Sequence, residues 1–406
     1  MPGRRRAVRA IARTVVALAS ASALVVAGLA WALQHRVQDA LVTSDATVPQ
    51  TPVVAGESFT ALLVGLDART DASGNPLPAE LLDKMHAGPD EGQLHTDTII
   101  LLHVPGDPAK APVALSIPRD SYVPIAGGRG THKINSAYWR GVREAQQELA
   151  RQGVTGPELD RRTREKGRAV LVETVENLTG VTVDHFAEIN LAGFVELTEA
   201  LGGVPVCLAA PARDSYSGLD LPAGRQTVSG ATALAFVRQR HGLTGGDLDR
   251  IGRQQAFLAG LVQQLRTTGA LTDPDRLAEL VGIVTRHVVL DSSWDIPQVV
   301  AQVQALQMDE LTLHTIPTGR PDLPTPADGI AVQIDRTAVR EFATALLSDE
   351  PEIAATTVAA PEPLAVTSAP APTTTSSVSP SPTAPMTPIP TTTARVISAD
   401  EVPCVP

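Results

Sequence analysis

Three short, unbroken apolar runs, each with a charged residue at or near one end, leave this chain few folds to choose from. They are Ala61-Leu62-Leu63-Val64-Gly65-Leu66, Thr98-Ile99-Ile100-Leu101-Leu102-His103-Val104 and Pro112-Val113-Ala114-Leu115-Ser116-Ile117. Runs of this length between turn residues suit strands of a sheet covered on both faces. Further strands are predicted near 183–189, 204–208 and 311–316. Helical periodicity covers roughly 135–151, 161–178, 191–201, 229–239, 247–268, 274–287 and 295–306. Helices distributed between strands predict a layered α/β domain, its central sheet flanked by helices.

The charged residues cluster where such sheets hold ligands. Asp67 closes the first run, Asp97 opens the second, and Arg119-Asp120 closes the third. Strand ends are the usual ligand edge of an α/β sheet. Paired carboxylates with phosphate oxygens make a magnesium shell. Each aspartate alone also reads as a turn or capping residue. Arginine near a core is costly unless an anion meets it, and its planar fork suits phosphate. Arg238 and Arg240 would diverge on a helix, so they converge only if the chain unwinds there. Gly242, Gly245 and Gly246 follow at once and favour that unwinding. On the next helix Arg250, Gln254, Phe257, Leu258, Leu261 and Leu265 share a stripe about 100° wide. Its basic end and apolar remainder match an amphiphile with an anionic head, although an ordinary core-facing stripe looks similar.

Composition excludes some partners. With 33 basic against 44 acidic residues the formal charge is -11, which argues against nucleic acid. Lysine occurs only at Lys84, Lys110, Lys133 and Lys166; a high-GC genome explains that bias, so arginine abundance alone proves nothing. Neither zinc-ligand spacing nor a phosphate-loop signature occurs. Arg4, Arg5, Arg6, Arg9 and Arg13 precede an uncharged run from Thr14 to Leu33. That run spans about 30 Å as a helix, the thickness of a bilayer core. Basic residues stay cytoplasmic, so the rest is expected outside the cell, held by a single-pass membrane anchor. A cleaved signal peptide ending at Ala30-Trp31-Ala32 is the alternative. The expected organisation is an anchor over 1–34, a linker over 35–56 and a folded domain over 57–349. Residues 350–406, rich in Pro, Thr and Ser, are expected to be a disordered tail. External thiols tend to oxidise, so a Cys207–Cys404 disulfide is expected to staple the tail's end to the domain; two free thiols are the alternative.

A longer set of segments carries a family likeness between about Phe59 and Phe257. It includes Asp97-Thr98-Ile99-Ile100-Leu101, Ser116-Ile117-Pro118-Arg119-Asp120, Lys133-Ile134-Asn135, Leu201-Gly202-Gly203-Val204 and Leu221-Pro222-Ala223-Gly224. It continues through Ala233-Leu234-Ala235-Phe236-Val237-Arg238-Gln239-Arg240 and Asp249-Arg250-Ile251-Gly252-Arg253-Gln254-Gln255. In these the chain resembles the LytR-CpsA-Psr family of bacterial cell-envelope proteins. The resemblance implies a mixed central sheet flanked by helices, with a lipid tail in an apolar channel. It implies a phosphotransferase that moves a glycopolymer from a polyprenyl-pyrophosphate carrier to a peptidoglycan sugar hydroxyl. Asp67 and Asp97 would hold Mg²⁺, or Mn²⁺ in its stead. Arg119, Arg238, Arg240 and Arg250 would clamp the pyrophosphate, with Gln254 as a hydrogen-bonding partner. His95 departs from the pattern, standing where many members have arginine. Arabinogalactan, a teichoic-type polymer and a capsular polysaccharide all fit as cargo, with 70–95 and 122–133 as expected glycan contacts. The competing readings are a polyprenyl-phosphate-binding envelope regulator and a lipid pyrophosphatase; the paired aspartates speak against a pure binder.

Overall fold

The computed structural model describes residues 41–46, 56–88, 92, 94–239, 242–243, 246–270, 272–294, 301, 310–348, 396–399 and 402–406. The chain enters with β1 (Val42–Ser44), β2 (Phe59–Leu66) and a short helix, α1 (Ala79–Lys84). Strands β3 (Thr96–Val104) and β4 (Val113–Ser116) follow, then a hairpin of β5 (Tyr122–Pro124) and β6 (Thr131–Lys133). Helices α2 (Ala137–Arg151) and α3 (Gly156–Thr179) lead to β7 (His185–Asn190), α4 (Leu191–Ala200) and β8 (Val204–Leu208). A second hairpin, β9 (Ala212–Asp214) and β10 (Leu219–Leu221), precedes β11 (Gly224–Val228) and α5 (Gly230–Arg238). Next come α6 (Asp247–Thr268), α7 (Pro274–His287), β12 (Val288–Asp291) and β13 (Thr312–Thr315). The hairpin β14 (Leu323–Thr325) and β15 (Gly329–Ala331), α8 (Arg336–Leu346), β16 (Ile397–Ser398) and β17 (Cys404–Val405) complete the described elements.

Among the described residues the central sheet has eight strands in the order β1-β12-β7-β2-β3-β4-β13-β16. It is mixed: β2 runs parallel to β7 and antiparallel to β3, and β4 runs parallel to β13. Alternation along the strands divides the core into two. Leu62, Val64, Leu66, Ile99 and Leu101 face α2, α3 and α8. Leu63, Ile100 and Leu102 face the opposite way, toward α6 through Leu258, Ala259 and Val262. Both faces are thus covered, as the unbroken apolar runs require.

A smaller sheet, β11-β8-β17, lies beyond α6. The end of the chain is its edge strand, with Cys404 in register with Cys207 and joined to it by a disulfide. Arg253, 1% exposed, fastens this edge to the body. Its Nε donates to the Pro406 carbonyl at 2.6 Å and its Nη1 to Gln239 Oε1 at 2.5 Å. The guanidinium also lies 5.2 Å from the Phe236 ring centroid, a cation–π distance.

Two expected boundaries are corrected. Val42–Ser44, expected in the linker, is an edge strand paired with β12. Ile397–Ser398 and Cys404–Val405, expected in a disordered tail, pair with β13 and β8. Sparse apolar residues explain this: Ile397, Val402 and Val405 are buried, although the Pro-, Thr- and Ser-rich surroundings hide them in the composition. The expected anchor over 1–34 and most of the 350–406 tail lie outside the described residues, as does nearly all of the 295–306 helix. No helix among the described residues is long and apolar enough to cross a membrane.

Candidate active site

The site forms where β2 ends and β3 begins, beside the loop after β4. The β2–β3 register shifts between Gly65 and Leu66, a bulge that re-aims the strand end. A Cβ on Gly65 would sit 3.1 Å from Thr98 Cβ, so any larger residue would have to push Thr98 aside. Asp67 follows, its N–H donating to the His95 carbonyl at 2.9 Å. Asp97, two residues beyond His95, accepts from Arg119 Nη1 through Oδ1 at 2.5 Å. The N–H of Asn135 donates to the Arg119 carbonyl at 3.1 Å, fixing the loop that carries this arginine.

Two helix ends complete the ring. Arg238 is the last residue of α5, and Gln239 leaves the helix with φ -52° and ψ 135°. Arg238 Nη1 donates to the Met85 carbonyl at 3.3 Å. At the start of α6, Asp247 pairs with Arg250 one turn on and lies 3.8 Å from Arg119 Nε. Gln254 Nε2 donates to the Asp97 carbonyl at 3.4 Å.

These residues divide three connected spaces. A charged pocket of about 440 Å³ is lined by Asp67, Asp97, Arg119, Asp120, Lys133 and Arg238, with others at its rim. A neck of about 60 Å³ shares Asp67, Asp97 and Arg238 with it and adds Arg250, Gln254, Phe194 and Val237. Beyond lies an apolar cavity of about 240 Å³ lined by Leu63, Ile100, Phe194, Leu197, Phe257, Leu258 and Leu261. The stripe on α6 therefore runs from Arg250 at the neck to Leu261 in the cavity. Leu265, its last member, instead packs beside the Leu201–Leu280 cluster.

Electrostatics sets the carboxylates apart. Burial pushes Asp67 above the usual carboxylate range, the Asp97 charge adds to this, and Arg69 and Arg238 only partly offset both. Burial would raise Asp97 too, but Arg119 and Arg250 hold it below that range. Asp247 is raised by burial, against the pull of Arg250. Burial lowers Arg250, whereas in Arg119 the charges of Asp97, Asp120 and Asp247 outweigh burial and raise it. Nε of Arg119 and Nε of Arg250 are buried and make no hydrogen bond. A buried donor without an acceptor costs about 1–3 kcal/mol, a cost that a bound anion removes.

The LytR_cpsA_psr family model matches residues 33–346. The chain belongs to the LytR-CpsA-Psr family. Cell wall biosynthesis protein LcpA of Corynebacterium glutamicum is 42% identical over 325 residues, 78% of this chain and 62% of LcpA. Polyisoprenyl-teichoic acid–peptidoglycan teichoic acid transferase TagU of Bacillus subtilis is 25% identical over 301 residues, 72% of this chain and 83% of TagU. The chain spans less than two thirds of LcpA and 49% of the related LcpB. The crystal structure of Bacillus subtilis TagV shares the fold with a TM-score of 0.50 at 21% identity, covering 73% of this chain and 100% of TagV. A Streptococcus agalactiae protein does so with a TM-score of 0.52 at 20% identity, covering 72% of this chain and 88% of its own.

In this LytR-CpsA-Psr chain the structure brings Asp67, Asp97, Arg119, Arg238, Arg250 and Gln254 together. Arg240 lies outside the described residues. Three partners escaped the sequence reading. Arg69 faces Asp67 Oδ1 at 3.0 Å, Lys133 Nζ lies 3.3 Å from Asp120 Oδ1, and Asp247 joins Arg250 to Arg119. Only Asp247 left a readable signal, its three-residue spacing before Arg250. Of the expected glycan contacts, 122–133 reaches the charged pocket through Lys133 and 70–95 through His95.

Proposed function

We propose that the chain is an Mg²⁺-dependent phosphotransferase acting outside the cell from a membrane anchor. It moves a glycopolymer from a polyprenyl-pyrophosphate carrier to a peptidoglycan sugar hydroxyl. The observation that carries this is the charged pocket opening through a shared neck into an apolar cavity. A ligand matching both must be anionic at one end and hydrocarbon at the other. The names of LcpA and TagU, cell-wall and teichoic acid transfer proteins, support the same reading.

The donor set fits a magnesium ion. Asp67 is held with Arg69 3.0 Å from its Oδ1, yet burial and the Asp97 charge outweigh that pairing and raise its pKa, so a further cation beside it would be favourable. No group of three or more His, Cys, Asp or Glu among the described residues has metal-holding geometry. Asp67 and Asp97 would therefore share the ion with phosphate oxygens and water, the habit of Mg²⁺ in phosphoryl-transfer sites. Bound there, the ion would neutralise charge on the diphosphate.

The protein's own residues do the rest. Arg119, Arg238 and Arg250 grip the phosphate oxygens and offset the charge that develops in transfer. Gln254 holds the Asp97 backbone while Phe194, Leu258 and Leu261 take the lipid. The acceptor oxygen attacks the glycan-side phosphorus; its bond to the lipid phosphate breaks, and polyprenyl phosphate leaves with the electron pair. The hydroxyl proton passes to a carboxylate. Asp97 and Asp120 are the carboxylates within the pocket that would take it.

The test is transfer from a defined polyprenyl-pyrophosphate glycan, with and without a peptidoglycan acceptor and with and without chelator. Arg119→Ala and Arg238→Ala should keep the wild-type circular dichroism spectrum yet lose transfer by about 10²–10³-fold. Wild-type rates in a folded Arg238→Ala chain would sink the clamp. Carrier cleavage that is equally fast without acceptor would make the chain a pyrophosphatase.

A further inference from the structure

The charged pocket is longer than the phosphate clamp. Asn135, Ser136, Asp214, Tyr216, Ser217 and Asp328 line it without reaching the neck. None of these six is cationic, and Lys133, which also lines the pocket outside the neck, is paired with Asp120 at 3.3 Å. The six offer two carboxylates, an amide, two small hydroxyls and an aromatic ring. Carboxylates accept hydrogen bonds and donate none, so the partner they favour is a neutral donor of several O–H groups.

Tyr216 supplies the second half of the recognition. It is 73% exposed, the most exposed of the large hydrophobic side chains among the described residues. Its backbone is nonetheless braced. The Tyr216 N–H donates to Asp214 Oδ1 at 3.0 Å, and the Ser217 hydroxyl donates to the Asp214 carbonyl at 3.4 Å. Gly218 adopts φ +77° with the His86 ring where a Cβ would be, so the hairpin tip rests on the 70–95 segment. On the other side Asp328 is held by His132 at 2.8 Å and by Arg140 at 3.8 Å. An exposed ring on a braced turn, lining the same pocket as Asp214 and Asp328, is matched to a sugar: the apolar face of a pyranose lies on the aromatic ring while its hydroxyls donate to the acid oxygens.

We propose that the Asp214–Tyr216–Ser217 turn and Asp328 form a subsite for a neutral sugar ring of the acceptor. Its direction rests on the phosphotransfer reading. In-line displacement puts the attacking oxygen opposite the leaving one. The lipid phosphate departs toward the apolar cavity, so the acceptor enters through the part of the pocket that does not line the neck, where these residues are found.

Binding and transfer are measured separately on the full chain in detergent. Chitotetraose, a neutral N-acetylglucosamine tetramer, is the binding probe, read by saturation-transfer NMR and titration without any donor. Tyr216→Ala should weaken its binding by about 10-fold, the loss of one stacking contact of roughly 1–1.5 kcal/mol, and Tyr216→Phe should restore it. In the transfer assay Tyr216→Ala should raise the acceptor KM and leave the donor KM unchanged. Equal binding by wild type and Tyr216→Ala, or no binding by either, overturns the subsite whatever the transfer assay reads. A raised donor KM with an unchanged acceptor KM overturns its assignment to the acceptor and gives it to the donor's first sugar. If the tetramer binds through Tyr216 but wild type transfers nothing, the subsite stands and the phosphotransfer reading fails.

Discussion

Asp67 shows how burying a carboxylate beside a second one weakens the fold. Its raised pKa means that ionising it costs more in the folded than in the unfolded chain. Below the ordinary carboxylate range both states hold the proton and no penalty arises. As pH climbs from the ordinary carboxylate value through the raised folded one, stability falls, and the penalty is complete above the latter. Asp67→Asn should therefore melt at or above the wild-type temperature at pH 7 in chelator, the gap narrowing on acidification, while transfer falls at least about 10²-fold. A variant that melts well below wild type at pH 7 would mean that the Arg69 pairing stabilises more than burial costs. At this scale sequence reading worked for side chains at strand ends and failed for their partners. Asp97 and Arg119 were recognisable singly, but nothing in the chain announces that Lys133 would reach Asp120.

Among the elements, α6 ties the site to the small sheet. Its first turn holds Asp247 and Arg250, its middle lines the apolar cavity, and Gly260 lies against β8. A Cβ on Gly260 would collide with the Pro205 carbonyl oxygen and stand 3.0 Å from Val204 Cγ1. Because the obstacle is backbone, Gly260→Ala should cost about 1–3 kcal/mol by overpacking, despite alanine's better helix propensity. Chemical denaturation would read this as a lower midpoint at unchanged slope; a midpoint at or above wild type would show that α6 can slide on β8. The helix itself was legible to the residue, expected at 247–268 and found as Asp247–Thr268, because its apolar stripe and charged first turn agree. Several short elements were not foreseen, among them β12 and α8. β12 has four residues and follows α7 without a break, too short for a period to emerge. The eleven residues of α8 did carry one: Val339 and Ala343 are buried, and Asp335 caps the start by accepting from Thr337 and Ala338 N–H.

Across the whole molecule, the layered architecture was readable because unbroken apolar strands demand cover on both faces. The site was readable only in part. Arg119, Arg238 and Arg250 come from three distant segments, and proximity between them is a property of the sheet order rather than of any local pattern. The family motifs supplied what periodicity alone does not. The return of the chain's end was legible in the expected Cys207–Cys404 disulfide, although its pairing as a strand with β8 was not. Cys207 and Cys404 stand 197 residues apart, a closure that the chain-entropy view values at about 5 kcal/mol. Everything between them, including β9 to β16 and the site's Arg238 and Arg250, is thereby a covalent ring. A ring has no ends to lose. A single cut by a site-specific protease, at a recognition sequence inserted near residue 370, should leave one full-mass band on a non-reducing gel and two after reductant. Two bands without reductant would open the ring on paper as well. If it holds, the molecule has a topology in which one nick anywhere over half its length releases nothing.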